Sequence, residues 1–236
     1  IEKTWPSTSN FIYVYYGNDA VSTTSSGEDT FVFFDDFEDD TIGQMPSGWT
    51  KIQGSASDTL TVINLSGSKV AKLHEARSSV NGVFRSSTYN GSDGYVVHYK
   101  YRYETAGKRT IHGVHDLNNN IVWNLLSRDD KSDWRARVDQ WRTLSSWGNP
   151  SADTWYRLEG FSRDTDNKVK FYKNRANSEG WYTPYSGSEA RKFYFRGKDT
   201  MATDAYFDDM YVRKYEIGST GHEPVVYLVG PELSYS

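Results

Sequence analysis

The segments FVFFDDFEDDTIGQMPSGW at residues 31–49 and YFDDMYV at residues 206–212 indicate the fold of this chain. Each segment places carboxylates beside a strand-like run of aromatic residues. In many two-sheet β folds the first and last strands lie side by side. The two segments together therefore predict one closed β domain with a metal ion bound where the acidic runs meet.

Apolar and polar residues alternate along most of the chain, most clearly at Tyr95–Glu104, where a tyrosine or valine at every second position faces one way. The abundance of Tyr, Trp, Phe, Thr, Ser and Gly is typical of strands and turns. The pattern predicts an all-β, two-sheet antiparallel jelly-roll sandwich with little or no helix. The other predicted strands span residues 11–16, 31–37, 60–65, 69–74, 110–116, 121–126, 134–138, 155–161, 169–172, 192–196, 205–215 and 225–229.

Composition excludes several classes of partner. The net charge is -4 and the basic residues are interspersed with acidic ones, so we expect no nucleic-acid partner. No segment approaches the roughly 20 apolar residues of a membrane-spanning helix, so we expect no membrane span. Because the chain has no cysteine, thiol catalysis and thiolate metal sites are excluded.

The segment NDAVSTTSSGED at residues 18–29 is predicted to be a linker, since its small polar residues cannot pack a core. The chain is therefore divided into a partial N-terminal strand segment with a linker, residues 1–29, and a jelly-roll domain, residues 30–236.

Two motifs resemble a known family. The run IYVYYGN at residues 12–18, followed by FVFFDDF at residues 31–37, resembles the C-terminal end of a domain of unknown function common in secreted archaeal and bacterial surface proteins. That domain is typically followed by a concanavalin-like, laminin-G-like jelly roll, which residues 46–49, 155–158, 169–172 and 206–212 resemble. The resemblance implies an extracellular or cell-surface location. It also implies missing upstream strands, and hence a fragment, a processed form or a subunit completed by another chain.

Four acidic residues are candidate metal ligands: Glu38, Asp39, Asp208 and Asp209. Ca²⁺ takes six to eight oxygen ligands, and acidic residues on two adjacent strands can supply them. Jelly-roll carbohydrate-binding modules, which the pattern resembles, imply a structural calcium held by Glu38 and by Asp208 or Asp209. The alternative is that these carboxylates are solvated strand ends.

Aromatic and charged residues on strands are candidates for glycan binding, since sugar rings stack on exposed aromatic side chains while charged groups bind the hydroxyls. If the strands of one sheet align, a shared concave surface is predicted for Arg102, Arg137, Trp155, Arg157 and Arg196, with Lys100, Glu104 and Glu159 beside them. The alternative is a salt-bridged face in contact with solvent.

Familiar catalytic motifs are absent from the sequence, including the nucleophile elbow, the phosphate loop, the zinc-binding helix and the laminarinase-type Glu-x-Asp-x-x-Glu run. His112 and His115 are expected to point to opposite faces of one strand. We therefore predict that the chain is not an enzyme but a recognition or adhesion module that binds glycans or another surface polymer.

Two alternatives remain open. One is a structural subunit of an extracellular filament or surface layer, in which copies of the chain exchange an apolar terminal strand formed by Val225, Val226, Tyr227, Leu228 and Val229. The other is a polysaccharide-degrading enzyme with an unfamiliar site.

Overall fold

The structure of the protein is a computed structural model. It describes residues 27–76, 81–89, 94–104, 109–128, 133–163, 166–174, 176–177, 180–185, 189–198 and 203–214. The predicted strands at residues 11–16 and 225–229 lie outside these ranges.

Two antiparallel sheets make up the described part of the chain. The first, sheet A, has eight strands in the order β13-β12-β11-β6-β15-β4-β3, with β1 paired to β15. Its strands are β1 (Phe33–Asp35), β3 (Thr59–Leu65), β4 (Ser68–Glu75), β6 (Tyr95–Tyr103), β11 (Tyr156–Arg163), β12 (Lys168–Lys173), β13 (Ala176–Asn177) and β15 (Thr203–Lys214).

The second sheet, sheet B, has seven strands in the order β10-β9-β8-β7-β14-β5-β2. Its strands are β2 (Thr50–Gln53), β5 (Val83–Arg85), β7 (Arg109–His115), β8 (Ile121–Arg128), β9 (Asp133–Arg137), β10 (Trp141–Thr143) and β14 (Lys192–Lys198). Helical structure in the described ranges comprises α1 (Gly27–Thr30) and a 3-10 turn at Ser145–Trp147. The predicted all-β sandwich with little helix is confirmed.

The core lies between the sheets and is strongly aromatic. Alternate residues of β6, from Tyr95 to Tyr103, are buried there and meet Trp123 and Trp134 from sheet B. His112 also points inward, and its Nδ1 lies 2.6 Å from the hydroxyl of Tyr99. The period-two pattern of the sequence thus fixes which side chains enter the core.

The remaining positions form two outer faces. Face A is the outer face of sheet A, formed by residues such as His98, Lys100, Arg102, Arg157, Glu159, Asp208 and Tyr211. Face B is the outer face of sheet B, formed by residues such as Arg85, Ile111, Asn124, Leu126, Arg137, Tyr194 and Arg196. Residues next to these along each strand belong to the core.

The first and last described strands pair as the sequence predicts. Phe33 lies opposite Val212 and Asp35 lies opposite Met210. The register between β15 and β6 shifts between Asp208 and Tyr211, where Asp209 has a φ of 47°. This bulge lets β15 pair with β4 along its first half and with β1 along its second half.

Strands β1 and β2 are built into the two sheets, since β1 pairs with β15 and β2 with β5. The domain boundary at residues 29 and 30 stays a prediction. Across the described ranges, no helix has the length and apolarity needed to cross a membrane.

Candidate functional site

The four predicted metal ligands lie in two separate settings. The Oε1 atom of Glu38 accepts hydrogen bonds from Ser68 Oγ at 2.7 Å and from the backbone N–H of Lys69 at 2.9 Å. Asp208 and Asp209 instead face Lys100, whose Nζ lies 3.6 Å from Asp208 Oδ2 and contacts Asp209. Within the described ranges, no group of three or more potential ligands is arranged to hold a metal ion. The structural calcium stays a prediction.

Glu38 and Asp39 border an acidic cleft of about 550 Å³ beside β1. The cleft is also lined by Glu28, Asp35, Asp36 and Asp40. Burial raises the pKa of Asp35 to about 7, although the indole N–H of Trp49 donates a hydrogen bond of 2.8 Å to this carboxylate. Neither Asp208 nor Asp209 lines this cleft.

The predicted ligand residues do not share one surface. Arg102 and Arg157 lie on face A, and Trp155 directly precedes β11 of the same sheet. Arg137 and Arg196 lie on face B, on the opposite side of the sandwich. The expectation of a single shared surface was wrong because period two assigns a residue to a face of its own strand but does not say which sheet that strand joins.

Face A is a network of compensated charges. Arg102 Nη2 lies 2.7 Å from Asp153, and Arg157 Nη2 lies 3.1 Å from Glu159. His98 is buried with its Nδ1 3.6 Å from Glu159 Oε1. Other pairs on or beside this face are Lys72–Asp204, Lys100–Asp208 and Arg163–Asp166. This is the salt-bridged alternative that the sequence left open.

This network and burial shift the pKa values of the titratable groups on face A. Burial lowers the pKa of His98, and the nearby Glu159 opposes the shift. The pKa of Glu159 is lowered: burial raises it, but the interactions with His98 and Arg157 outweigh burial. Burial and the adjacent Asp209 raise the pKa of Asp208. The pKa is therefore lowered for Glu159 on one side of β6 and raised for Asp208 on the other side.

Face B carries an aromatic and cationic row that crosses the sheet. Paired positions run from Trp141 through Arg137, Asn124, Gly113, Tyr194 and Arg85, one on each of the strands β10, β9, β8, β7, β14 and β5. With strands about 4.8 Å apart, this row spans roughly 24 Å.

Gly113 is required at the centre of the row. A Cβ atom there would lie 2.3 Å from the backbone oxygen of Trp123 and 2.8 Å from Asn124 Oδ1. A second row of paired positions runs beside the row of Gly113 and is apolar. Its residues Val83, Ile111 and Leu126 pack against Tyr194. Face B thus has an apolar strip next to its polar row.

Two arginines of face B, Arg85 and Arg137, are flanked by aromatic rings, whereas Arg135 on the same face pairs with Asp133 at 2.8 Å. The guanidinium of Arg137 lies 4.4 Å from the ring centre of Tyr185 and 6.0 Å from that of Trp141. Arg85 lies 6.0 Å from the ring of Tyr194. As far as the structure describes the chain, Arg85, Arg137 and Arg196 have no ion pair with a carboxylate.

Arg196 is held by an amide. With the Asn81 amide turned so that its oxygen faces the guanidinium, that oxygen accepts a hydrogen bond from Arg196 Nε at 3.1 Å, and its nitrogen donates to Glu75 at 3.0 Å. The charge of Arg196 is therefore positioned without being neutralised by direct contact.

Tyr194 and His115 form a stacked pair at this site, with ring centres 3.9 Å apart and planes at 14°. Burial raises the pKa of Tyr194, while Arg196, Arg85 and Arg137 oppose the shift. Burial, assisted by Arg85, lowers the pKa of His115 to about 3. At neutral pH the site therefore contains a neutral phenol and a neutral imidazole among arginines.

Sequence reasoning missed Arg85, Asn124, Tyr194 and His115 as site residues. One signal was available: in KFYFR at residues 192–196, Phe193 and Phe195 alternate with Tyr194 and Arg196, which places Tyr194 beside a predicted ligand residue. The three-residue strand that carries Arg85 shows no period. The predicted assembly strand Val225–Val229 lies outside the described residues and stays a prediction.

A family model described as a domain of unknown function (DUF2341) matches residues 1–52. This match agrees with the N-terminal resemblance, and the fold agrees with the jelly roll expected after it. A search of curated protein sequences finds no match.

Several solved structures with a similar fold are carbohydrate-active proteins. A sialidase is similar with a TM-score of 0.64 and 12% identity, over 78% of this chain and 19% of the sialidase chain. The catalytic domain of a glycoside hydrolase family 131 protein from Coprinopsis cinerea has a TM-score of 0.53 and 12% identity, over 78% and 94% of the two chains. A family 131 β-glucanase catalytic domain from Podospora anserina has a TM-score of 0.52 and 15% identity, over 79% and 97%. The chain therefore spans a fifth of the sialidase and corresponds to nearly whole β-glucanase catalytic domains.

These comparisons correct one expectation. From the missing motifs we predicted that the chain is not an enzyme. The similar structures contradict this prediction, because most of them are glycoside hydrolases or a sialidase. At 12–15% identity the likeness shows the fold alone. This chain has the jelly-roll fold that carbohydrate-active domains use.

Proposed function

We propose that this domain binds a polysaccharide across face B. The observation that carries the proposal is the row from Trp141 to Arg85. The half-buried Trp141, Arg137 and Arg85 lie along one sheet surface, with the buried Asn124 and Tyr194 between them. Sites for sugars need apolar surface for the ring faces together with a few placed polar groups for the hydroxyls.

Exposure supports this assignment. Tyr185, at the Arg137 end of the row, is among the exposed large apolar side chains, with 47% of its surface exposed. Trp141 is half-buried beside it and packs against the apolar strip of Leu126 and its neighbours. A chain of sugar residues lying along the row would contact Trp141 and Tyr185 at one end and Arg85 at the other.

Affinity electrophoresis and titration calorimetry on a panel of soluble polysaccharides test the proposal. We expect binding to at least one polymer, and we expect W141A and Y185A to abolish or strongly weaken it. The control is W181A, because Trp181 stacks with Arg163 on the side of sheet A at 4.2 Å. Binding that survives W141A and Y185A but not W181A would place the site elsewhere.

A second candidate function is glycoside hydrolysis on face A. Glu159 lies opposite His98 and Asp208 lies opposite Lys100, on the two strands that flank β6 and on the same face, so their Cα atoms are roughly 12 Å apart. Glycosidases place two carboxylates on either side of the scissile bond, and inverting enzymes separate the carboxyl groups by about 6.5–9.5 Å. Side chains inclined towards each other over β6 would bring the two carboxyl groups into this range, as a general acid and a general base require.

Release of reducing ends from the same polysaccharide panel tests this second function. If face A is catalytic, E159Q and D208N each remove activity, whereas D153N, which removes the surface partner of Arg102, leaves it intact. No product on any polymer would retire the hydrolase candidate without affecting the binding proposal.

A polysaccharide partner also supports the extracellular location that the sequence predicts. Accessibility of the native protein to an antibody on intact cells is the measurement that tests it.

A further inference from the structure

Face B concentrates positive charge in a protein that has acidic residues to spare. The chain carries 27 basic and 31 acidic residues, and face A pairs most of its cations with carboxylates. Arg85, Arg137 and Arg196 nevertheless have no carboxylate partner among the described residues. Like charges gathered on one surface repel one another and cost stability unless a ligand neutralises them.

The three cations lie along one surface. Arg85 is directly opposite Tyr194, and Arg196 is two residues from Tyr194 on the same strand and the same face. Arg137 lies in the same row three strands away, roughly 14 Å from Tyr194. An extended anionic polymer lying along the row could therefore meet all three guanidinium groups.

A buried amide lies beneath the row. Asn124 is 2% exposed, and its Oδ1 is enclosed beside Gly113, where a Cβ atom would lie only 2.8 Å from it. A ligand on face B would therefore contact the guanidinium groups and rings of the row rather than this oxygen.

We propose that face B recognises an acidic polysaccharide whose hexuronate carboxylates pair with Arg85, Arg137 and Arg196. The inference rests on the proposed function and names the ligand class of the same site. The planar guanidinium fork matches a carboxylate in bidentate geometry.

The charge of the whole protein favours this ligand over a nucleic acid. The protein is acidic, with a net charge of -4, so it lacks the broad positive field that nucleic-acid binding requires.

The decisive comparison uses polygalacturonate and its methyl-esterified form, which share one backbone and differ in carboxylate charge. Alginate, heparin, a neutral β-glucan and a single-stranded oligothymidylate complete the panel, and titration calorimetry gives the affinities. We expect at least one polyuronate to bind tenfold or more tightly than the esterified and neutral polymers, and its affinity to fall as salt is raised.

Variants locate the charge effect. We expect R85Q, R137Q and R196Q each to weaken polyuronate binding about tenfold or more, since a charge-assisted hydrogen bond is lost. R196K keeps the charge but not the fork and should lose less than R196Q. The matched control is R102Q on face A, where Asp153 pairs with the arginine, and it should bind as the parent does. Thermal melts confirm that each variant is folded.

The outcomes separate the two proposals. Neutral and esterified polymers that bind as tightly as polyuronates, with W141A still abolishing binding, would overturn the acidic-ligand inference and leave the proposed function intact. Tighter binding of heparin or of the oligothymidylate than of every polyuronate would also overturn it. Failure of every polysaccharide to bind would remove the proposed function and the inference together.

Discussion

The two outer faces of this sandwich solve the problem of surface charge in different ways. On face A an arginine such as Arg157 meets a carboxylate at 3.1 Å, whereas on face B Arg137 meets the ring of Tyr185 at 4.4 Å. Charges paired within the protein contribute to its own stability but leave little for a ligand. Cations that contact aromatic rings and an amide keep their charge available. Face A therefore stabilises the fold through its ion pairs, whereas Arg85, Arg137 and Arg196 on face B are available for the ligand that we propose.

Removing a carboxylate from face A should have the largest effect on stability. E159A leaves the half-buried Arg157 and the buried His98 without their shared partner, and we expect a loss of about 2–3 kcal/mol in the free energy of unfolding. Chemical denaturation measures it. The matched change on face B, R137Q, should alter stability by less than about 1 kcal/mol, because only contacts with the rings of Tyr185 and Trp141 are lost. Equal losses on the two faces would contradict the contrast.

Closing the space at Gly113 should have the next largest effect. We expect G113A to cost about 1–3 kcal/mol, because its Cβ would lie 2.3 Å from a backbone oxygen that cannot move independently of β8. Denaturation of G113A and of the double variant G113A/N124A tests the cause. The double variant should remain destabilised, since it removes only the contact with the Asn124 side chain. Full recovery would show that the amide, not the backbone, limits the space.

Acid should lower the free energy of unfolding through His115, which lies on face B. Its pKa in the folded protein is lowered from 6.5 to about 3, chiefly by burial and then by Arg85; Lys192 acts in the same sense and Asp116 opposes it. Below pH 6.5 the unfolded chain therefore binds the proton first, and stability is lost as the pH falls from 6.5 towards 3, by up to about 1.4 kcal/mol per pH unit.

Melting temperatures between pH 7 and pH 4 measure this effect, and H115Q should make the dependence shallower. Asp35 contributes with the opposite sign, since its raised pKa, about 7, adds stability at low pH that is lost as the pH rises through 7. D35N removes that contribution and serves as the reference background. An unchanged slope in H115Q would place the acid sensitivity elsewhere, for example at His112 in the core, whose pKa burial also lowers to about 3.

Calcium should have the smallest effect. The carboxylates around Asp35 repel one another, since Asp36 and Asp40 both raise its pKa, and a cation in the acidic cleft would relieve this repulsion. We expect millimolar Ca²⁺ to raise the melting temperature by about 1–2 °C, and less in D36N/D40N. If E38Q and D208N together abolish a much larger rise, the calcium site predicted from the sequence is correct.

The long strands of this fold could be predicted from the sequence, because period two over six or more residues identifies both the strand and its buried side. Tyr95–Tyr103 and Tyr156–Arg163 are examples. The strands of two to four residues, β2, β5, β10 and β13, were missed because so few residues define no period.

The site was predictable only in part for the same reason. The proposed site includes Arg137 and Arg196 from the sequence prediction, and their ligand role stays a prediction. Arg85 lies on a missed strand, and Arg102 and Arg157 lie on face A rather than on a surface shared with Arg137 and Arg196. Pairing between strands distant in sequence decides which residues become neighbours, and alternation along one strand carries no information about it.

The pairing of β1 with β15 has a mechanical consequence. The two strands are antiparallel, with Val32 N–H donating to the Val212 carbonyl at 2.8 Å, so the polypeptide that precedes β1 and the polypeptide that follows β15 leave sheet A at the same end. Tension applied between these two flanking segments would load the hydrogen bonds of β1 one after another, as in opening a zipper, rather than all at once. The three-residue β1 would therefore detach from sheet A at low force, before sheet B, which carries face B, is disrupted.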